Sequence, residues 1–307
     1  MILVTGASGT LGKHLVPLLR AAGIPLRAIV RDPRGATHLD GVEIVQGDVR
    51  DPATLRRAVD GVNSVIAAAS GFGAGGDVSV ESVDRDANRA LAEAAGGAGV
   101  ANMILVSVLE ASPRHPMDLM KAKYAAEQHV KASPMAWTII RPALSTETWA
   151  HILGQPLQQL GKTTVFGRGN QPVNFVSARD VAAFVRLAAT DPAMRGVTVD
   201  VGGPANLTMN QFVDRFRVET GAAGSVAHYS LPVMRVLARA LRYVNQQTAR
   251  QIQAGVYIDT RGLAFDGRAA RKDYPSIPLT SVSEVFRSDY APVVDGQDQG
   301  LAGLVRA

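Results

Sequence analysis

The chain has 307 residues, of which 47% are hydrophobic and 19% charged, with a formal net charge of +5, enough to bury one large α/β domain or a nucleotide domain with a smaller lobe. Cysteine is absent, which excludes disulfides, thiolate metal sites and cysteine nucleophiles, and the six histidines lie without metal-ligand spacing. The basic residues are dispersed without a nucleic-acid module, and no apolar run approaches the roughly 20 residues needed to cross a bilayer, so a cytoplasmic protein is expected.

In chain order, residues 2–4 read as a short buried strand. Gly6, Gly9 and Gly12 then space a tight turn, and Leu11, Leu15, Leu18 and Leu19 give the helix that follows an apolar stripe. Glycine suits such a turn because a Cβ would obstruct the backbone's approach to a pyrophosphate. The helix N-terminus beyond it offers unpaired N–H groups and a positive dipole end. A second strand over 26–30 completes a βαβ unit, so the turn predicts a dinucleotide site. Further strands are predicted over 42–45, 64–68, 103–106 and 137–140, with helices over 53–59, 80–95 and 117–132 between them. The strands are almost continuously apolar, as in a parallel sheet covered on both faces. The expected fold class is α/β, a doubly wound parallel (Rossmann) sheet with a smaller C-terminal substrate lobe.

From Arg141 the pattern changes. Residues 145–172 carry loop signals, 175–189 return to the core with a helix opened at Arg179-Asp180, and 198–201 form one more strand. A helix over 206–219 starts at Thr208, and 231–254 reads as one strong helix rich in Leu, Val and Arg. The boundaries expected are 1–150 for the nucleotide domain, with 174–203 returning to it, 151–173 and 204–292 for the lobe, and 293–307 for a flexible tail.

Gly71-Phe72-Gly73-Ala74-Gly75-Gly76 repeats the glycine spacing after a strand, but no helix follows directly and no second strand closes the unit. It reads as a loop bordering the ligand crevice. Where a carboxylate would bind the adenosine ribose, the chain has Arg31, in Val30-Arg31-Asp32-Pro33. A guanidinium pairs with a 2′-phosphate, with Arg34 or Lys13 as helpers, which favours NADP(H). The competing reading leaves Arg31 on the surface and gives Asp32 the ribose. Asp48 either faces the adenine or is a turn residue at a strand end.

Further motifs are Thr5-Gly6-Ala7-Ser8-Gly9-Thr10-Leu11-Gly12, Gly47-Asp48-Val49-Arg50-Asp51, Leu105-Val106-Ser107, Lys123-Tyr124-Ala125-Ala126-Glu127 and Thr138-Ile139-Ile140-Arg141-Pro142. Asn174-Phe175-Val176-Ser177-Ala178-Arg179-Asp180-Val181-Ala182 and Tyr274-Pro275-Ser276-Ile277-Pro278-Leu279-Thr280 follow. In this order they resemble the short-chain dehydrogenase/reductase superfamily, in its atypical, NmrA-like branch, over most of the chain. The resemblance implies NADP(H) held by Gly6, Ser8, Gly9, Thr10, Leu11, Gly12 and Arg31 in the first half of the cofactor site. It extends that set to Asp48, Val49, Ala67, Ala68, Lys123 and Pro142, and makes Lys123 and Ser107 the catalytic residues, unless Val108 is the residue aligned with the family's hydroxyl, which would leave that hydroxyl missing.

The superfamily's usual acid is a tyrosine four residues before the lysine. Here Leu119 stands four before Lys123 and Met117 four before Lys121, and neither has a proton to give. Tyr124 would project from another side of the helix. The resemblance therefore implies an NADPH-dependent reductase of a small electron-poor acceptor (quinone, enone or activated ketone) that works without the tyrosine. The alternative is a non-catalytic NADP(H)-sensing regulatory protein. Epimerase chemistry leans on the missing tyrosine, and no G-x-S-x-G elbow points to a hydrolase. Phe72, Trp149 and Tyr257 are the aromatic candidates to face a small-molecule substrate. A second copy of the chain is the protein partner to test, and neither nucleic acid nor membrane is expected.

Overall fold

The computed structural model describes residues 1–34 and 37–291, so the tail expected from 293 lies outside the described residues. Strand β1 (Ile2–Thr5) leads into α1 (Thr10–Ala21), and β2 (Leu26–Val30), β3 (Glu43–Gln46), α2 (Pro52–Val59), β4 (Ser64–Ala67), α3 (Asn88–Gly97), β5 (Asn102–Val106), α4 (Asp118–Ala132) and β6 (Ala136–Pro142) follow. The second half carries β7 (Leu144–Ser145), α5 (Thr146–Trp149), α6 (Gln155–Leu160), β8 (Lys162–Phe166), β9 (Val173–Val176), α7 (Ala178–Thr190) and β10 (Val197–Val201). It ends with β11 (Asn206–Leu207), α8 (Met209–Thr220), β12 (Ser225–Tyr229), α9 (Leu231–Leu241), α10 (Gln246–Arg261), α11 (Ala269–Asp273) and α12 (Val282–Asp289).

Seven strands form one parallel sheet in the order β10-β6-β5-β4-β1-β2-β3. Side chains alternate across it, as the two-residue strand period requires. Val4, Ala28, Ile66 and Ile104 pack with Leu15 and Leu19 of α1 and Phe184 of α7 on one face. Leu3, Val65, Met103 and Ile139 pack with Leu55 of α2, Leu91 of α3 and Ala126 of α4 on the other. Both faces are dry, which is why these strands read as continuous apolar runs.

A second core belongs to the C-terminal lobe. Phe175 stacks on Phe212 with ring centroids 4.4 Å apart, and Phe286 meets Phe212 and Phe216 edge-on at 5.0 Å. Trp149, Leu153, Leu157, Val165 and Ile258 complete it. Lobe and sheet are tied by Asp180 of α7, whose carboxylate accepts from Arg271 Nη2 at 2.9 Å and Thr280 Oγ1 at 2.6 Å.

The lobe departs from the sequence expectation in four places. The expected loop over 145–172 contains β7, α5, a wide π-helical turn over Ala150–Gly154, α6 and β8. Strand β8 forms because β12, far along the chain, pairs with it in parallel from Lys162↔Ser225 to Phe166↔Tyr229. The core return expected from 175 starts with β9, which joins β7 and β11 in a small separate sheet, and its helix begins at Ala178 with Ser177 as N-cap. The helix expected from 206 begins at Met209, where Thr208 and Gln211 form a reciprocal capping box. The single helix expected over 231–254 is two: α9 stops at Leu241, and the Asn245 side chain accepts from Thr248 N to start α10.

Candidate functional site

Chain order runs outward from β1 in both directions, with β2 and β3 to one side and β4, β5 and β6 to the other. Ligands of such sheets lie at this switch, beyond the carboxyl ends of the strands. A cleft of about 510 Å³ sits there, lined by the β1–α1 turn, the ends of β2 and β3, the segment after β4, and α5 with its following turn.

Each glycine of the turn has its own reason to be glycine. Gly6 has φ +74°, and a Cβ on it would lie 2.6 Å from the Ala68 carbonyl oxygen. A Cβ on Gly12 would lie 2.0 Å from the Ala7 oxygen, so this residue lets α1 pack on the turn and does not line the cleft. Around Gly9 a Cβ would meet only the Gly6 oxygen, at 3.3 Å, and its remaining space is the cleft itself. Gly9 is also the N-cap of α1, with no side-chain cap and no acid in the first turn. By contrast α2 is capped by Asp51, which accepts from Ala53 N and Thr54 N, both at 3.0 Å. The free N–H groups and dipole end of α1 thus open onto the cleft, a seat for an anion. Ser8, Thr10 and Leu11 line the same seat.

Beyond the ends of β2 and β3, Arg31, Asp48 and Val49 line the cleft. Arg31 is exposed and makes no ion pair among the described residues. Its neighbour Asp32 is taken by Arg34, whose Nη2 lies 2.6 Å from Oδ2, and that guanidinium holds the Asp32 carboxyl below the usual carboxylate range. Asp48 is held the same way: Arg50 donates to it through Nε at 3.1 Å and Nη2 at 2.9 Å, depressing its pKa, and reaches Asp77 at 2.9 Å.

On the other side of the switch, Ala68, Ala69 and Ser70 continue from β4, and Phe72, Gly73 and Ala74 of the glycine-rich loop form the wall. Ala67 is buried in the sheet behind them. The loop is fastened by groups distant in sequence. Gly71 N donates to Asp84 Oδ2 at 2.8 Å. Arg250 of α10 donates to the carbonyls of Phe72 at 3.4 Å, Val78 at 3.2 Å and Ala74.

Lys123 belongs to this fastening and does not line the cleft. Its side chain is 5% exposed; Nζ makes an ion pair with Asp84 Oδ1 at 2.9 Å and donates to the Val106 carbonyl at 2.9 Å. Ser107 is likewise buried and outside the lining, its hydroxyl donating to Glu127 Oε1 at 2.5 Å. Glu127 in turn pairs with Arg141, at 2.8 Å from Nε and 2.5 Å from Nη2. Pro142 also lies outside the lining, its carbonyl accepting from Leu109 N at 2.9 Å. Val108 is absent from the lining as well.

The lobe contributes Thr148 and His151. They sit there because buried Glu147 accepts from Ala178 N at 2.9 Å and Ser177 Oγ at 3.0 Å, docking α5 on the start of α7; that burial raises the Glu147 pKa. His151 Nδ1 is 2.5 Å from Gln155 Oε1, four residues on in the same helical run. Sequence reasoning missed Asp84 and Arg250, because each acts on a segment distant in the chain, and His151, because only the folding of the lobe brings it to the cleft.

Of the aromatic candidates, Phe72 lines both the cleft and a second pocket of about 420 Å³, which reaches Met117, Leu119, Arg242, Tyr243 and Gln253. Trp149 is core. Tyr257 Oη donates to Glu110 Oε2 at 3.1 Å, and its ring lies 4.6 Å from that of His115. Glu110 has φ +63°, the one non-glycine positive φ among the described residues. His115 accepts at Nδ1 from Met117 N, 3.1 Å, and burial pushes its pKa down. Burial pushes that of Tyr257 up.

A family profile described as NAD(P)H-binding matches residues 6–192. An NAD(P)H azoreductase of Xenophilus azovorans is 32% identical over 211 residues, covering 68% of this chain and 70% of the azoreductase. The photosystem II assembly factor Ycf39 of Synechocystis is 26% identical over 297 residues, 94% of this chain and 90% of that protein. Among solved structures, an NADPH-dependent quinone oxidoreductase of Escherichia coli superposes with a TM-score of 0.73 at 22% identity, covering 94% of this chain and 99% of that one. A Citrobacter triphenylmethane reductase complexed with NADP(H) gives 0.74 at 21% identity over 94% and 99% of the two chains.

Proposed function

Because the chain belongs to the NAD(P)H-binding family, in the atypical, NmrA-like branch of the short-chain dehydrogenases/reductases, we propose that it is an NADPH-dependent reductase of a small electron-poor acceptor, a quinone, enone or activated ketone. The observation that carries this reading is the shared Phe72 wall: a cleft with an uncapped helix N-terminus for the pyrophosphate adjoins a second pocket of about 420 Å³. The relative named an NAD(P)H azoreductase supports a reductase of this kind.

The residues fit NADPH on this structure's own terms. Gly9 leaves open space where the pyrophosphate would pass, and Ser8, Thr10 and Leu11 surround it. Arg31 has a guanidinium without an ion-pair partner among the described residues at the adenosine end, whereas the carboxylate that would bind a bare ribose, Asp32, is engaged by Arg34. That contrast supports the phosphorylated cofactor over NADH. Asp48 and Val49 would flank the adenine. When bound, NADPH supplies a hydride to the acceptor and leaves as NADP⁺, while the acceptor takes up one proton.

That proton needs a donor other than the superfamily's tyrosine. Lys123 is enclosed with Asp84 and Ser107 with Glu127, so neither reaches the cleft. In this reading the donor is His151, an imidazole lining the cleft whose Nδ1 meets Gln155 Oε1.

The full-length similarity to an assembly factor favours a second reading, an NADP(H)-binding protein that regulates a partner without turnover. NADPH oxidation with a panel of quinones, enones and activated ketones separates the two. The reductase reading expects turnover, and a drop of about 100-fold in kcat for His151→Gln with NADPH affinity kept. No oxidation with any acceptor, alongside NADPH-dependent capture of a partner, establishes the regulator instead.

A further inference from the structure

Six of the nine large hydrophobic side chains exposed among the described residues fall within one short stretch: Tyr229, Val233, Val236, Leu237, Tyr243 and Val244. Val236 is 71% exposed and Val244 83%. Helix α9 and its continuation carry most of them, and the helical hydrogen bonds run on to Asn245 N→Leu241 O at 2.7 Å. The helix has three faces instead of two. Met234 and Ala238 are buried against Ile252 of α10, with Leu241 half-buried beside them. Arg235, Arg239 and Arg242 form an exposed second face. Val233, Val236, Leu237, Ala240 and Val244, at helical spacing i, i+3, i+4, i+7 and i+11, form an exposed third one.

The charge along this stretch of chain has one sign. No Asp or Glu occurs between Glu219 and Asp259, whereas Arg235, Arg239, Arg242 and Arg250 do. An aliphatic stripe flanked by arginines, with Tyr243 at its end, has the make-up of a helix lying in the plane of an anionic membrane surface. A second copy of the chain would be a poorer occupant, since symmetric pairing on this face sets three arginines against the same three. No helix among the described residues is long and apolar enough to cross a membrane, so the contact would be peripheral.

We propose that α9 and the corner after it dock the protein on an anionic lipid surface. Arg242 and Tyr243 of that corner also line the 420 Å³ pocket, so docking places one edge of the pocket next to the bilayer. The other side of the pocket carries Glu81 and Asp118, which stay with the sheet domain. Resting on the reductase reading above, this makes the acceptor a lipophilic molecule dissolved in the membrane.

Co-sedimentation with phosphatidylcholine vesicles, with and without phosphatidylglycerol, tests the docking without any turnover. Binding is expected to the anionic vesicles and to weaken at high salt. It should fall about tenfold or more in Val236→Asp and in the pair Arg235→Gln/Arg239→Gln, with unchanged circular dichroism and NADPH affinity. Equal or absent binding to the two vesicle types overturns the proposal, as does a homodimer that Val236→Asp splits while vesicle binding is missing. For the acceptor, Val236→Asp should slow reduction of a long-chain quinone held in the vesicles and spare a short water-soluble one. Equal rates overturn the lipophilic-acceptor clause alone, and reduction of neither quinone by the parent protein overturns the reductase reading while the sedimentation result stands.

Discussion

The β1–α1 turn and the loop from Gly71 to Val78 face each other across one cleft, both follow a strand of the same sheet, and both are glycine-rich, yet they are held in different ways. In the turn, Gly6 and Gly12 are closely enclosed by backbone: added Cβ atoms would come within 2.6 Å of Ala68 and 2.0 Å of Ala7. In the loop, backbone encloses Gly71 at its start, whose Cβ would lie 2.5 Å from the Ser79 oxygen, while Cβ atoms on Gly73 and Gly76 would meet nothing within 4 Å. What fixes the loop is charge, through Asp84 with Lys123 behind it and through Arg250. A wall built from backbone contacts answers to shape, and a wall braced by buried charges answers to pairing.

The largest effect expected is on the first wall. Gly9→Val fills the cleft and crowds the protein only at the Gly6 oxygen, 3.3 Å from the new Cβ, so NADPH binding should be abolished while Tm moves by no more than about 3 °C. Calorimetry and thermal melts together check it; retained binding would remove the turn from the cofactor site. The second wall is broken through its ion pair. Lys123→Met leaves the Asp84 carboxylate buried and unpaired, which should cost about 3–5 kcal/mol in denaturant unfolding. Adding Asp84→Asn removes the stranded charge but keeps an acceptor for Gly71 N, and should restore at least half of that loss. A double variant as unstable as the single one would mean the pair is not what braces the loop.

Arg31→Ala sharpens the comparison at the first wall's far end. It should weaken NADPH by about 1.5–3 kcal/mol, the range for a hydrogen bond to a charged group, and NADH little. Equal losses for the two cofactors would take the 2′-phosphate away from Arg31.

The smallest effect is one of pH, at a lobe contact outside both walls. His115, between the β5–α4 segment and Tyr257 of α10, has its pKa pushed below 6.5 mainly by burial, with Glu110 offsetting part of this. The unfolded chain therefore takes up a proton first as pH falls below about 6.5, and the lobe-side contact loses stability in that window. Urea midpoints at falling pH should show a shallower decline for His115→Gln than for the parent, whereas Gly9→Val should track the parent. Parallel slopes for the parent and His115→Gln would sink the assignment.

The first wall was legible because its requirements are local. The spacing of Gly6, Gly9 and Gly12, the apolar β1 and the stripe of α1 lie within a dozen residues, and each follows from sterics of a short segment. The same holds for Thr208, whose cap is sealed by Gln211 three residues on. The second wall depends on partners far apart in the chain, with Arg250 meeting Phe72 and Lys123 meeting Asp84, and no spacing rule announces them. Lys123 illustrates the difficulty: its place in the family's pattern is legible in the sequence, but the Asp84 carboxylate it meets is not. Strands β8 and β12 were missed for a similar reason, since their pairing joins Val165 to His228 and neither strand alternates strongly by itself. The break after Leu241 was hidden because the exposed stripe of α9 continues the apolar periodicity across the corner.

Two segments that serve the cleft, Glu81–Ala87 and Ala150–Gly154, are wound as π-helix within otherwise α-helical runs. An α-helix advances its side chains by about 100° per residue, so the face it shows at one end dictates the face it shows at the other. A wide turn is in effect one surplus residue, and it uncouples the two ends. Before α3 it lets Asp84 address Lys123 and Gly71 while Leu91, Ala92 and Ala95 still address the sheet. After α5 it lets His151 reach the cleft while Leu153 and Leu157 stay in the lobe core. In this protein, chain length is thus itself a determinant of the site: deleting a single residue from either turn would leave a sound helix that points the wrong side chains at the ligand.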